Sequence, residues 1–266
     1  MKLSIITINY NNYSGLQKTM QSVFDQTWKD YEYIIIDGGS TDGSKEFIEL
    51  NSDKINYWVS EPDKGIYNAM NKGIIKSNGE YLLFLNSGDY FAYQYSLNNF
   101  ISETINKDFD IIYGNQFALF DNNKINKQYF PDIITFYYLA FLNSPPHQAT
   151  LIKRQLFFHI GLYDETMRMN SDWKFFMLAI FKFNSSYYHI NQFLVFFDRN
   201  GISSNPNYNF LRDEEKIPFL KTEFKNFYKY NDLMHESNKL KFYYKYSRII
   251  RILKYIKVIK KFNFIL

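Results

Sequence analysis

The sequence predicts an α/β protein with a mostly parallel central sheet and flanking helices. Short apolar, β-branched runs alternate with helical patterns through about residue 114, as strands joined by crossover helices do. Polar residues gather at the carboxyl ends of those runs, where open α/β sheets hold ligands. Hydrophobic residues make up 46% of 266, enough for a sizeable core and too many for a disordered chain.

Leu3 to Ile8 is the first buried strand, followed by the polar cluster Asn9-Tyr10-Asn11-Asn12. Ser14 stands where an N-cap is expected, ahead of a helical pattern through Leu16, Met20, Val23 and Phe24. Tyr33 to Ile36 reads as a second strand running into the glycine-rich turn Asp37 to Gly43, with a helix from Ser44 to about Leu50. A third strand is expected at Tyr57 to Val59, a helix at Gly65 to Ile75, and a fourth strand at Tyr81 to Leu85. Beyond residue 115 the pattern loosens to a hairpin near 116–120 and 125–130, helices near 132–142, 171–182 and 208–230, and short strands near 187–197.

There is no cysteine, which excludes disulfides and thiolate metal sites. The first residues lack the basic and apolar regions of a signal peptide, and no apolar run of about 18 residues predicts a spanning helix. The net charge of +4 is uneven: residues 239–266 hold nine Lys or Arg and no acid, leaving 22 basic and 27 acidic groups before them. The overall pI therefore gives no argument for nucleic acid.

Several side chains at the strand ends suit a nucleotide. Thr7, Asn9 and Tyr10 leave the first strand in position to line a base and ribose pocket. Asp37 ends the second strand, where a carboxylate accepts from a base N–H or a ribose hydroxyl, or alternatively closes an Asx-turn. Asp89 follows the fourth strand and is the candidate for Mg²⁺ or Mn²⁺, which prefer carboxylate and phosphate oxygens; its alternative is a turn aspartate. Asn68 and Asn71 share nearly one helix face and either reach a ligand or bond within the fold.

Four ordered segments, Ser4–Asn11, Ile36–Gly43, Glu61–Gly73 and Gly79–Asp89, resemble the family 2 glycosyltransferases with the GT-A fold, nearest to the bacterial branch that builds surface polysaccharides. The resemblance is close over about 1–90 and loose over 145–205. It implies a GT-A-like, Rossmann-type sheet and transfer of a sugar, UDP-linked by expectation, from a nucleoside diphosphate to a saccharide or lipid-linked acceptor, with inversion. It implies one domain over 1–235, with a nucleotide-binding half (1–114) and an acceptor half (115–235). By the same resemblance Asp63 helps hold the nucleotide, Lys64 lies near the phosphates, His147 borders the acceptor or diphosphate, and Arg199 contacts phosphate from a closing loop. Ser203, in that loop, is a candidate for phosphate contact alongside Arg199. Where the family carries Asp-x-Asp this chain reads Ser87-Gly88-Asp89, so Ser87 replaces one carboxylate and a cation is expected to arrive with the nucleotide. Asp172 falls where the family places its base, although a dipole-stabilising first-turn aspartate is the competing role. Lys64 as a solvated charge and His147 as a structural residue also stay open. His159, His189 and His235 have no partner spacing and read as structural.

In residues 236–266, Ile249, Ile252, Leu253, Ile256 and Ile259 fall on one helical face, away from Arg251, Lys254 and Lys257. That is a basic amphipathic helix suited to an anionic membrane interface, and places the protein at the cytoplasmic face of the plasma membrane. A helix packed on the enzyme's own body is the alternative. A nicotinamide oxidoreductase or a P-loop protein is excluded by the absence of their glycine-rich turns, and a nucleotidyltransferase is disfavoured by the lack of its glycine-rich start. The competing function is a non-catalytic, membrane-associated nucleotide-sugar-binding protein on a transferase fold.

Overall fold

The computed structural model describes residues 2–104, 107–120, 124–199 and 209–230, with Leu233, Glu236 and Ser237. The expected helix in the tail, His235 and Ser203 lie outside the described residues. The chain divides into a unit of Met1–Lys216 and a second of Ile217–Leu266.

The first unit is built on β1 (Leu3–Asn9), α1 (Tyr13–Phe24), β2 (Tyr31–Asp37), α2 (Ser44–Leu50), β3 (Tyr57–Ser60), α3 (Ile66–Lys76) and β4 (Tyr81–Phe84). β2 and β4 flank β1 in parallel, and β3 continues the parallel run beyond β2. Every residue of β1 is buried, as befits a strand covered on both faces. α3 packs on β1 and β2 because residue 73 is glycine: a Cβ there would lie 2.5 Å from Ile6 Cγ2.

The later elements are β5 (Tyr90–Phe91), α4 (Ser96–Thr104), β6 (Ile111–Leu119), β7 (Ile125–Gln128), β8 (Thr150–Lys153), α5 (Arg154–Ile160), α6 (Ser171–Phe181), β9 (Tyr187–Asp198) and α7 (Asn209–Glu223). The sheet runs β3-β2-β1-β4-β8-β6-β9-β5, with β7 paired to β6. β8 is antiparallel to both β4 and β6, whereas β6 and β9 are parallel, so most of the paired length is parallel in a mixed sheet.

Three details differ from the sequence reading. Asn12, not Ser14, caps α1, its Oδ1 accepting from Gly15 N–H at 3.1 Å. The helix expected over 132–142 starts only after Thr135, whose hydroxyl caps Tyr138 N–H at 3.1 Å, and Tyr138–Leu142 forms a π-turn. The short strands near 187–197 are one strand of twelve residues, irregular where it passes Tyr113–Gln116.

In the second unit, the end of α7 contains Pro218, with Thr222 Oγ1 donating to its carbonyl at 2.9 Å. Phe219 and Phe224 meet edge to face at 5.8 Å between ring centres.

Candidate active site

The carboxyl ends of β1, β2 and β3 form an open ledge. Asn9 and Asp37 are register partners there, both buried. Asp37 does not point a vacant carboxylate at the ledge. It accepts from Asn9 Nδ2 (2.7 Å), Ser40 Oγ (2.6 Å), Ser40 N–H (2.9 Å) and Ser60 Oγ (2.6 Å). Four donors reach it, and through them Asp37 holds the Gly38–Ser40 turn from beneath. Thr7 is likewise fully buried, its hydroxyl bonded to Tyr33 Oη and the Leu85 carbonyl. Asn9 keeps a buried Oδ1 without a protein partner.

The upper side of the ledge belongs to Tyr10, Gly38 and Asp63. Tyr10 is 66% exposed. A Cβ on Gly38 would lie 2.6 Å from Asp63 Oδ2 and 3.1 Å from the Tyr10 ring, so glycine alone keeps this slot open. Asp63 is fixed by Gly65 N–H at 2.8 Å.

Beyond Asp63 a pocket of about 680 Å³ opens, walled by Lys64–Asn68, Asn86, Pro145–Gln148, Arg168–Asn170, Asp172 and Arg199. Asp172 stands in the first turn of α6, with Asn170 at the cap position making no side-chain cap bond. Its Oδ1 accepts from the buried Tyr67 hydroxyl at 2.9 Å, which fixes the carboxylate toward the pocket. Beside it, His147 stacks on Phe84 at 4.8 Å and shares a 2.8 Å hydrogen bond between its Nε2 and Tyr163 Oη. Burial pushes the imidazole pKa down, against the pull of Asp172, so His147 is neutral near pH 7. That matches its structural alternative, and leaves Nε2 engaged rather than open to a metal.

Asp89 lies behind this wall, 5% exposed. Its Oδ1 accepts from Asp198 N–H at 2.9 Å, and Gln148, which lines the pocket, bonds its side chain. Burial raises its pKa to about 8, helped by the Asp198 carboxylate and opposed by the two hydrogen bonds. Ser87 sits nearby, its carbonyl accepting from Asn12 Nδ2 at 3.0 Å. Among the described residues no group of three His, Asp or Glu side chains is placed to hold a metal. Asp89 and Asp198 adjoin here, with Asp89 accepting from Asp198 N–H and from Gln148. Arg199 reaches the pocket with its guanidinium 4.8 Å above the Phe120 ring.

Asn68 and Asn71 bond within the fold. Both donate to Glu165, each at 2.9 Å, and Asn71 also donates to the Tyr163 carbonyl. The sequence reading missed Glu165, Gln116, Asp198 and the start of α7. Gln116 is 5% exposed, donates to Gln128 Oε1 at 2.7 Å and presents an unpartnered Oε1 in a side chain that lines the pocket. Glu215 of α7 accepts from Arg168 N–H (2.6 Å), Met169 N–H (3.2 Å) and Asn170 Nδ2 (2.8 Å), which ties α7 to the loop entering α6.

The profile of Glycosyl transferase family 2 matches residues 4–172. A glycosyltransferase of Mycobacterium tuberculosis (strain ATCC 25618 / H37Rv) is 44% identical over 91 residues, 34% of this chain and 35% of its own. A PGL/p-HBAD biosynthesis glycosyltransferase of Mycobacterium bovis (strain BCG / Pasteur 1173P2) is 30% identical over 65% of this chain and 67% of its own. The chain thus spans about a third of the first relative and two thirds of the second. Among solved structures, S. aureus TarS 1-349 in complex with UDP-GlcNAc superposes with a TM-score of 0.61 at 18% identity, covering 74% of this chain and 58% of that one. Mannosyltransferase PcManGT from Pyrobaculum calidifontis, in complex with GDP-Man and Mn2+, gives 0.54 at 13% identity over 72% and 55%.

Proposed function

Because the chain belongs to glycosyl transferase family 2, we propose that it moves a sugar from a UDP-linked donor to an acceptor hydroxyl with inversion, in bacterial surface-glycan synthesis. The observation that carries this reading is Asp172: a carboxylate fixed by Tyr67 at the wall of a pocket that adjoins the Tyr10–Gly38–Asp63 slot. The likeness to a UDP-GlcNAc-bound structure supports the choice of donor class.

In this reading the base lies in the slot between Tyr10 and Asp63, and the diphosphate crosses toward Lys64 and Arg199. Asp172 takes the proton from the acceptor hydroxyl as its oxygen attacks the anomeric carbon, and the bond from that carbon to the phosphate oxygen breaks. UDP leaves with the bonding electrons. A divalent cation, when bound with the donor, would neutralise that charge beside Asp89 and Asp198. The Mn2+ of the PcManGT complex supports a cation in this fold.

Among the described residues no helix is long and apolar enough to cross a membrane. Residues 239–266 are proposed to bind an anionic membrane surface, by their charge and apolar spacing. Ser87, in place of a family carboxylate, favours a second reading as a non-catalytic binder. Turnover of UDP-sugars by the purified protein decides between them. Asp172→Asn keeps size but removes the base, and transfer should fall by roughly 10² to 10⁴ with UDP affinity near wild type. Normal transfer by that variant would leave Asp172 a first-turn aspartate.

A further inference from the structure

The fold uses one ring nitrogen of His147 and leaves the other to the pocket. The ring is buried against Phe84 and still lines the pocket wall. Its Nε2 lies 2.8 Å from Tyr163 Oη, and among the described residues its Nδ1 has no hydrogen-bond partner. Tyr163 decides which nitrogen carries the proton. That residue is buried and packs against the rings of Phe84, Phe157, Phe175 and Tyr67. Among the described residues its hydroxyl makes one hydrogen bond, the one to His147. A buried hydroxyl proton needs an acceptor, so Tyr163 donates and Nε2 accepts. The neutral imidazole then carries its own hydrogen on Nδ1. A doubly protonated ring would make Nε2 a donor and leave the Tyr163 proton without an acceptor; burial, which lowers the imidazole pKa, acts in the same direction.

Asp172 lines the same pocket and is near enough to pull on the imidazole. The two side chains thus offer a carboxylate and a neutral N–H to whatever stands between them. A phosphate suits that space poorly: it is repelled by the carboxylate and brings it no proton. A sugar diol suits it well, because one hydroxyl donates to Asp172 while its neighbour accepts from Nδ1–H.

We propose that His147 Nδ1–H holds the acceptor by an oxygen next to the hydroxyl that Asp172 deprotonates, and that Tyr163 is the positioning residue that fixes the tautomer. The inference rests on the transferase reading and deepens it by naming the acceptor class, a neutral sugar with adjacent hydroxyls. The neighbouring oxygen is the one held, since a donor on the attacking oxygen would occupy a lone pair needed at the anomeric carbon. His147 keeps its proton throughout; the proton that moves goes from the acceptor to Asp172.

The first test is nitrogen NMR of the full-length protein labelled with ¹⁵N-histidine at pH 7. The signal that His147→Gln removes should show a protonated Nδ1 and an accepting Nε2. A ring protonated on Nε2, or on both nitrogens, overturns the inference. The second test is binding to the full-length protein saturated with UDP, with the methyl glycosides of glucose, galactose, mannose and N-acetylglucosamine as probes. At least one should bind. His147→Gln keeps an acceptor near the Nε2 position and no donor near Nδ1, so it should weaken that glycoside about three- to tenfold with urea stability near wild type. His147→Asn keeps a donor near Nδ1 and no acceptor for Tyr163. It should hold the glycoside more tightly than His147→Gln and unfold at lower urea. Binding of none of the glycosides, or the reverse order of the two variants, overturns the subsite. So does a loss of UDP affinity in His147→Gln with glycoside binding unchanged, since the N–H would then serve the donor phosphates. Failure to turn over any nucleotide sugar would count against the transferase reading and leaves the NMR and binding outcomes readable on their own.

Discussion

Replacing Asp89 with asparagine in the metal-free protein should stabilise the fold at alkaline pH, the reverse of what losing a carboxylate usually does. Burial, aided by the Asp198 carboxylate, moves the Asp89 pKa from 3.8 to about 8. An acid whose folded pKa lies above its unfolded value binds its proton more tightly when folded. The stability it contributes is complete below about pH 4 and is lost as the pH rises through about 8. Each pH unit in that window removes about 1.4 kcal/mol. Between about pH 5 and pH 9 the ceiling is therefore about 4 kcal/mol, and water entering beside Gln148 reduces it, so about 2–4 kcal/mol is expected. Asparagine is uncharged throughout and accepts from Asp198 N–H through Oδ1 as Asp89 does. Urea unfolding of both proteins with chelator at pH 5, 7 and 9 gives the comparison. The variant should gain on the wild type steadily with pH. A difference that is flat in pH would mean Asp89 titrates as an ordinary surface carboxylate, and the argument from burial would fail.

Gly73→Ala adds a methyl group 2.5 Å from Ile6 Cγ2 in the α3–β1 contact. Overpacking of about 1–3 kcal/mol, offset by about 1 kcal/mol of helix propensity, should leave a net loss near 1 kcal/mol in chemical unfolding; a gain in stability would mean α3 can move off the sheet. Glu215→Ala removes three contacts to the loop before α6 and should lower stability by about 1–3 kcal/mol and reduce transfer more than UDP binding. A stability change with transfer intact would make α7 a brace with no part in placing Asp172. Deleting residues 239–266 should preserve UDP binding and abolish sedimentation with anionic vesicles, binding that in the full chain weakens as salt rises. Indifference of the full chain to such vesicles at low salt would remove the membrane reading.

How much of this was legible in the sequence depends on how far apart the partners are. The β1–α1–β2–α2–β3–α3–β4 order could be read because each strand is a local apolar run and each turn has its own Gly, Asn or Asp signal. β8 could not: four residues after a Pro-Pro loop carry no periodicity, and only the gap between β4 and β6 makes Thr150–Lys153 a strand. Asp37 shows the limit at a single residue. Its place at a strand end fits a carboxylate aimed at a ligand or one turned beneath the loop, and the donors Ser40 and Ser60 that reach it are visible only in the fold. Glu215 gave no local signal either, since it matters only through a loop 47 residues back along the chain.

Asp198 is the case where a signal existed. The chain reads Ser87 where the family resemblance implies a carboxylate, and a cation on a diphosphate is held by one or two protein carboxylates. A second carboxylate, where one is used, comes from an element that folds beside the β4 turn. The candidates were the acids at strand ends in the second half, and Asp198 ends β9 immediately before Arg199, already singled out for phosphate. The structure brings its backbone N–H onto Asp89, and its carboxylate to 3.4 Å from where a Cβ on Gly88 would stand. That distance is ordinary contact for a side-chain carbon, and it is the backbone, at φ +106°, that calls for glycine at 88. We propose that Asp89 and Asp198 share one cation that arrives with the donor; Gly88→Ala, strained at this φ, should weaken metal-dependent UDP binding relative to wild type, whereas UDP binding without metal changes little.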